Sequence, residues 1–143
     1  MFMRYFSILI ICLICFRSLG QTNNDKSQIL ALMQEQENCW NKGDLTGFMQ
    51  GYWKNDSLMF IGKSGITYGW QQTLSNYQKG YPDTASMGKL SFTILEVSPL
   101  CNKYYHVVGK WHLARSKGDL QGYYTLLFKK IKGKWCIIKD HSS

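Results

Sequence analysis

The acid–base inventory of this 143-residue sequence is short: nine carboxylates and three histidines. A carboxylate or histidine does general acid–base work when an apolar pocket desolvates it and moves its pKa toward neutrality. Most of the nine acids sit where solvation or capping accounts for them. Asp25 belongs to a polar lead-in, Asp44 stands where it would cap a helix, Asp56 and Asp119 fall in turns, Asp83 in a loop, and Glu35 on a helix flank. Three remain: Glu37 beside the apolar stripe of the first helix, Glu96 on a strand, and Asp140 near the end of the last strand. Asp140 and His141 are the strongest catalytic candidates. Adjacent strand residues face opposite sides, so only one of the two reaches the interior unless a bulge intervenes. His141 is expected inward, because imidazole serves as base, acid or donor near neutral pH. The alternative is that both merely tie the end of the chain to the helices by hydrogen bonds.

Other chemistries find no support. His106 and His112 lie six residues apart on one strand, about 20 Å, and cannot share an ion. No remaining His, Cys or carboxylate spacing suits zinc, so no metal and no cofactor is expected. Gly62-Lys63-Ser64-Gly65 lacks the spacing of a phosphate-binding loop, and no serine sits in a nucleophile elbow. Aromatic residues are the second signal. Trp40, Tyr52, Phe60, Trp70, Trp111 and Tyr124 are expected to line a pocket for a small, largely apolar molecule, with hydroxyl and indole N–H groups orienting it. The simpler account of the same rings is core packing.

The elements that must position these residues follow from periodicity. From Ser27, Ile29, Leu32, Met33, Gln36 and Trp40 share a helical face, and Gly43 stops that helix. Leu45, Phe48, Met49 and Tyr52 stripe a second helix, which Asn55-Asp56 breaks. Ser57–Ile61 and Ile66–Tyr68 read as a short strand pair. Trp70, Leu74 and Tyr77 mark a third helix, ended by Gly80 and Pro82, with a loop through Met87. Four long strands follow between residues 88 and 141, with Gly109 and Gly122 the expected places for a bulge or kink. On the second long strand, Tyr105, Val107, Trp111 and Leu113 share one face and Tyr104, His106, Lys110 and His112 the other.

Met1 to Arg4 followed by an apolar run over Tyr5–Phe16 and small residues at Ser18 and Gly20 reads as a signal peptide over residues 1–20. The protein is therefore expected to be exported, periplasmic or extracellular, with no membrane attachment after cleavage. Residues 21–26 form the lead-in and 27–143 one domain. Loss of Arg4 and Arg17 takes the formal charge from +8 to +6. The densest lysines, Lys129, Lys130, Lys132 and Lys134, flank a hairpin turn, where they guard a sheet edge rather than form a nucleic-acid stripe. Nucleic acid is not an expected partner. Cys39, Cys101 and Cys136 do not announce a disulfide.

Helix, helix, short strand pair, helix and four-stranded meander, in that order, resemble the nuclear transport factor 2-like cone fold. The closer resemblance is to its SnoaL-like and DUF4440 branch. It is carried by Trp40-Asn41-Lys42-Gly43-Asp44, Tyr52 with Asp56, Gly69-Trp70, Gly109-Lys110-Trp111, Gly122–Leu126 and Gly133-Lys134-Trp135 through Asp140-His141-Ser142. The resemblance implies an α+β fold, with three N-terminal helices packed on a curved, mostly antiparallel sheet around a conical cavity. It does not carry a function, since one fold hosts many activities. The ketosteroid isomerase relatives hold their general base, an aspartate, on the first strand. Here Leu58–Ile61 contains no ionisable group, which argues against that chemistry. Three functions stay open: a pocket for a small apolar ligand, a cofactor-free lyase, isomerase or hydrolase using Asp140 and His141 with Tyr52 as donor, and a homodimerisation module pairing through the sheet's outer face.

Overall fold

The computed structural model describes residues 23–143; the signal segment expected over 1–20 lies outside the described residues. Residues 23–41 form helix α1. Ile29, Met33, Gln36 and Trp40 recur at the spacing of one helical face, and all four are buried. The helix is already formed before Ser27, so residues 23–26 are not a free lead-in. Asp25 is packed onto the sheet, accepting hydrogen bonds from Lys130 Nζ at 2.6 Å and Trp135 Nε1 at 3.2 Å. Gly43, at φ 78°, closes α1 in the left-handed conformation that side chains resist. Asp44 then caps helix α2 (Leu45–Phe48), accepting from the Gly47 N–H at 2.7 Å.

The second helix does not continue to Tyr52 as its periodicity implies. After one turn it tightens into a 3₁₀ segment, Met49–Gly51. The buried Gln36 side chain explains the change: its amide donates to the Phe48 carbonyl at 3.1 Å, the acceptor that an α-helical Tyr52 N–H would use. Tyr52 N–H turns instead to the Met49 carbonyl. Gly51 permits this, since a Cβ there would lie 2.6 Å from Gln36 Cδ.

Strands β1 (Met59–Gly62) and β2 (Gly65–Tyr68) make a hairpin, and helix α3 (Trp70–Gly80) follows. A further one-turn helix, α4 (Thr84–Met87), occupies what reads as loop; Asp83 caps it through the Ser86 N–H at 2.6 Å. Strands β3 (Lys89–Cys101), β4 (Tyr104–Ala114), β5 (Leu120–Ile131) and β6 (Lys134–Ser142) complete one six-stranded sheet in the order β2-β1-β6-β5-β4-β3. Every pairing is antiparallel except β1 with β6. No helix among the described residues is long and apolar enough to cross a membrane.

Side chains of alternate residues on β4, β5 and β6, among them Tyr105, Val107, Leu126, Phe128, Trp135 and Ile137, bury the concave face against α1 and α3. Tyr104, His106 and His112 are half-buried and Lys110 exposed on the convex side. The sheet is irregular where β3 shifts register between Ile94 and Glu96 and between Pro99 and Cys101, and where β5 meets β6 beyond Leu127. None of these bulges falls on Gly109 or Gly122. The first lies across the pairing from Gly109 and Val108, on the neighbouring strand. The two glycines do something else: each stands opposite a large ring. Gly109 pairs with Tyr124 and Gly122 with Trp111. A Cβ at Gly109 would meet the Tyr124 hydroxyl at 2.2 Å, and one at Gly122 would meet Trp111 Nε1 at 2.9 Å. The rings therefore lie down across the glycines.

Candidate functional site

One bulge decides which polar group enters the cone. Trp135 and Ile137 are both buried on the concave face, and strict alternation would next turn Lys139 and His141 inward. Phe128 pairs with Ile137, however, while Leu127 pairs with Lys139, so Ile138 is an extra residue in β6. The parity of the strand flips after it. Asp140, opposite Leu126, is brought inside and is 3% exposed. His141 is turned to the outside and exposed, which corrects the inward placement expected for it. Ser142, two residues beyond Asp140, shares its face and follows it in.

Asp140 lies on the wall of a cavity of about 570 Å³ between the concave sheet and the helices. Trp40 and Gln36 of α1, Phe48, Tyr52, Phe60 of β1 and Tyr77 and Tyr81 of the third helix region form its helical side. Phe92, Trp111, Tyr124 and Leu126 form its sheet side, and the β1–β2 turn with Leu120 and Gln121 forms the rim. Of the six expected lining residues, five are in this wall. Trp70 is not: its indole donates to the Met49 carbonyl at 2.7 Å, and Lys54 Nζ lies 5.1 Å from its ring centroid. Its place at the first turn of α3 ties that helix to the 3₁₀ segment instead. Tyr77 and Ser142 belong to the site and were not singled out by the sequence. Tyr77 was visible as part of the α3 stripe, and Ser142 by its i+2 spacing from Asp140.

Asp140 accepts from the Tyr52 hydroxyl at 2.7 Å and from Ser142 Oγ at 2.7 Å. The Tyr77 hydroxyl adjoins that of Tyr52. Burial raises the Asp140 carboxyl from its ordinary 3.8 to about 6, against the opposing pull of the Tyr52 and Ser142 hydrogen bonds and of His141. Burial, reinforced by the Asp140 charge, holds the Tyr52 and Tyr77 hydroxyls well above the ordinary phenol range. They are donors at any physiological pH. Because the Tyr52 hydrogen bond favours the ionised carboxylate, Tyr52→Phe is expected to raise the Asp140 pKa further, by about one unit. A ¹³C NMR titration of the side-chain carboxyl checks this; an unmoved or lowered midpoint would contradict it.

Two polar atoms of the sheet wall, Trp111 Nε1 and the Tyr124 hydroxyl, are buried with no hydrogen-bond partner among the described residues. They lie where their rings cross Gly122 and Gly109. Among the described residues no cluster of His, Cys, Asp or Glu is arranged to hold a metal ion. Cys39, Cys101 and Cys136 are free thiols.

No family model and no curated protein matches the sequence. Solved structures do. An NTF-2 like protein of unknown function from Shewanella oneidensis MR-1 is 46% identical, with a TM-score of 0.80, over 83% of this chain and 98% of that one. An NTF2-like superfamily protein from Salmonella enterica serovar Typhimurium LT2 shares 19% identity at a TM-score of 0.68, over 85% of this chain and 92% of its own. A ketosteroid isomerase-like protein from Erwinia carotovora atroseptica SCRI1043 shares 15% at 0.63, over 82% and 93% respectively. The last two likenesses speak for the fold alone.

Proposed function

We propose, on the premise that this chain belongs to the NTF2-like family, that its cone binds a small, largely apolar organic molecule around the buried Asp140. The finer placement in the SnoaL-like and DUF4440 branch is part of the same proposal and rests on motif order. The carrying observation is the cavity itself. About 570 Å³ is within the range of small-molecule sites, and this one has aromatic walls and one carboxylate set into them. Rings packed only as core would leave no open volume of this size between the helices and the sheet. The test uses N-phenyl-1-naphthylamine, a neutral fluorophore of suitable size. Its emission should rise saturably with one site per chain. Thr67→Trp, which places an indole at the rim where Thr67 now lines the cavity, should remove the rise. An absent rise, or one unchanged by Thr67→Trp, would refute a cone site.

One observation favours a second reading. A carboxyl near 6, hydrogen-bonded to a tyrosine and lining an apolar cavity, is tuned for general acid–base work. In that reading Asp140 moves the proton, Tyr52 orients it, and His141, on the outer surface, takes no part. Its signature is a pH–rate profile with an apparent pKa near 6 that disappears in Asp140→Asn.

A further inference from the structure

The cavity holds a carboxylate that has no ion-pair partner among the described residues. Among the described residues the ion pairs are His112 with Asp119 and Lys130 with Asp25; neither involves Asp140. Tyr52 and Ser142 each give Asp140 one hydrogen bond, one to each oxygen. An ionised carboxylate has about four acceptor positions, so about two remain unused. Among the described residues Asp140 is the only acidic side chain of the cavity wall, and the only basic one there is Lys63, on the exposed rim turn. Around this single negative group stand nine aromatic rings. The faces of such rings carry negative potential and attract cations, the more so where water is excluded. Trp40, Phe48, Tyr77 and Tyr81 pack edge-to-face and stacked among themselves, which fixes their orientation before any ligand arrives.

We infer that the molecule taken up by the cone is an organic cation: an apolar body carrying one basic nitrogen that pairs with Asp140 inside the aromatic wall. This rests on the cone being a ligand site and says what class of ligand it selects. A neutral apolar molecule would leave the carboxylate buried beside it without a counter-charge, and an anion would add a second like charge at the same place. A protonated amine supplies both the opposite charge and the N–H donors that the free positions of Asp140 can accept. The other titratable groups near Asp140 do not compete for that role. Tyr52, Tyr77 and Tyr124 are neutral with raised pKa values, and His141 is outside on its own strand.

Three probes of one size separate the outcomes: 2-(aminomethyl)naphthalene, 2-naphthylmethanol and 2-naphthoate, measured by calorimetry on the intact protein. At pH 8 the amine should bind about tenfold or more tightly than the alcohol, and the naphthoate more weakly than either. The preference for the amine should shrink as pH is lowered through about 6, where Asp140 takes up its proton while the amine stays charged. In Asp140→Asn the amine and the alcohol should bind alike. That variant keeps the size of the side chain and one acceptor oxygen, and an unchanged near-ultraviolet circular dichroism spectrum with a cooperative urea transition reports that the cone is intact. Equal binding of amine and alcohol to the unaltered protein, or tightest binding of naphthoate, overturns the inference and leaves the cone as a ligand site. Failure of all three to bind overturns the cone site as well.

Discussion

Asp25→Ala is expected to remove about 3 kcal/mol of folding stability, more than any surface substitution of this chain. The Asp25 side chain is 5% exposed and meets the ammonium of Lys130, itself 23% exposed, at 2.6 Å. Trp135 Nε1 donates to the same carboxylate oxygen at 3.2 Å. Alanine leaves a largely buried cation without its counter-charge and an indole N–H without its acceptor. Breaking one half of a buried pair costs about 3–5 kcal/mol, and the partial exposure of Lys130 puts the expectation at the lower end. The loss is structural in a specific sense: the network joins the first turns of α1 to β5 and β6, the strands that carry Tyr124 and Asp140. Urea denaturation at neutral pH measures it. The double variant Asp25→Leu with Lys130→Met should recover most of the loss, because it removes both charges together. A loss below about 1 kcal/mol for Asp25→Ala would mean that the pair behaves as a surface ion pair.

The same residue shows where sequence reading runs out. Gln-Thr-Asn-Asn-Asp-Lys is polar enough to pass for a lead-in, and nothing local says that Asp25 will meet Lys130, 105 residues away. Where burial follows periodicity the sequence is legible. Ile29, Met33, Gln36 and Trp40 repeat at helical spacing, β4 alternates along its length, and the element order carries the cone fold. The number of helical segments is less legible. The Gln36 amide that cuts α2 short and the Asp83 cap that builds α4 are side-chain events of single residues. The site depended on one more such event. Asp140-His141 is conspicuous as a pair, yet which member enters the cone is settled by a one-residue bulge at Ile138, and a bulge has no composition signature there: Cys136-Ile137-Ile138-Lys139 reads as continuous strand. Trp70 illustrates the opposite error. Its type suited a pocket, but its position at the first turn of α3 put the indole within reach of the Met49 carbonyl.

The pH dependence of folding should change by about 3 kcal/mol when Asp140 becomes asparagine. The sign follows from the direction of the pKa shift. The folded carboxyl sits at about 6 against an ordinary 3.8, so the folded state binds this proton more tightly than the unfolded chain does. The stabilisation from protonated Asp140 is complete below about 3.8 and is lost as pH rises through about 6. A displacement of about 2.2 units at 1.36 kcal/mol per unit gives about 3 kcal/mol. In Asp140→Asn this loss is absent, while every other acid titrates as before. The difference in unfolding free energy between variant and parent should therefore move in favour of the variant by that amount between pH 3.5 and 7.5. Denaturant titrations of the two proteins at a series of pH values give the difference directly; parallel curves would refute a raised Asp140 pKa. The result bears on function because strongly raised carboxyl pKa values cluster at functional sites. A bound cation changes the ledger. By pairing with the ionised form it lowers the Asp140 pKa, so saturating 2-(aminomethyl)naphthalene should flatten the parent's pH dependence toward that of the variant, while 2-naphthylmethanol should leave it in place.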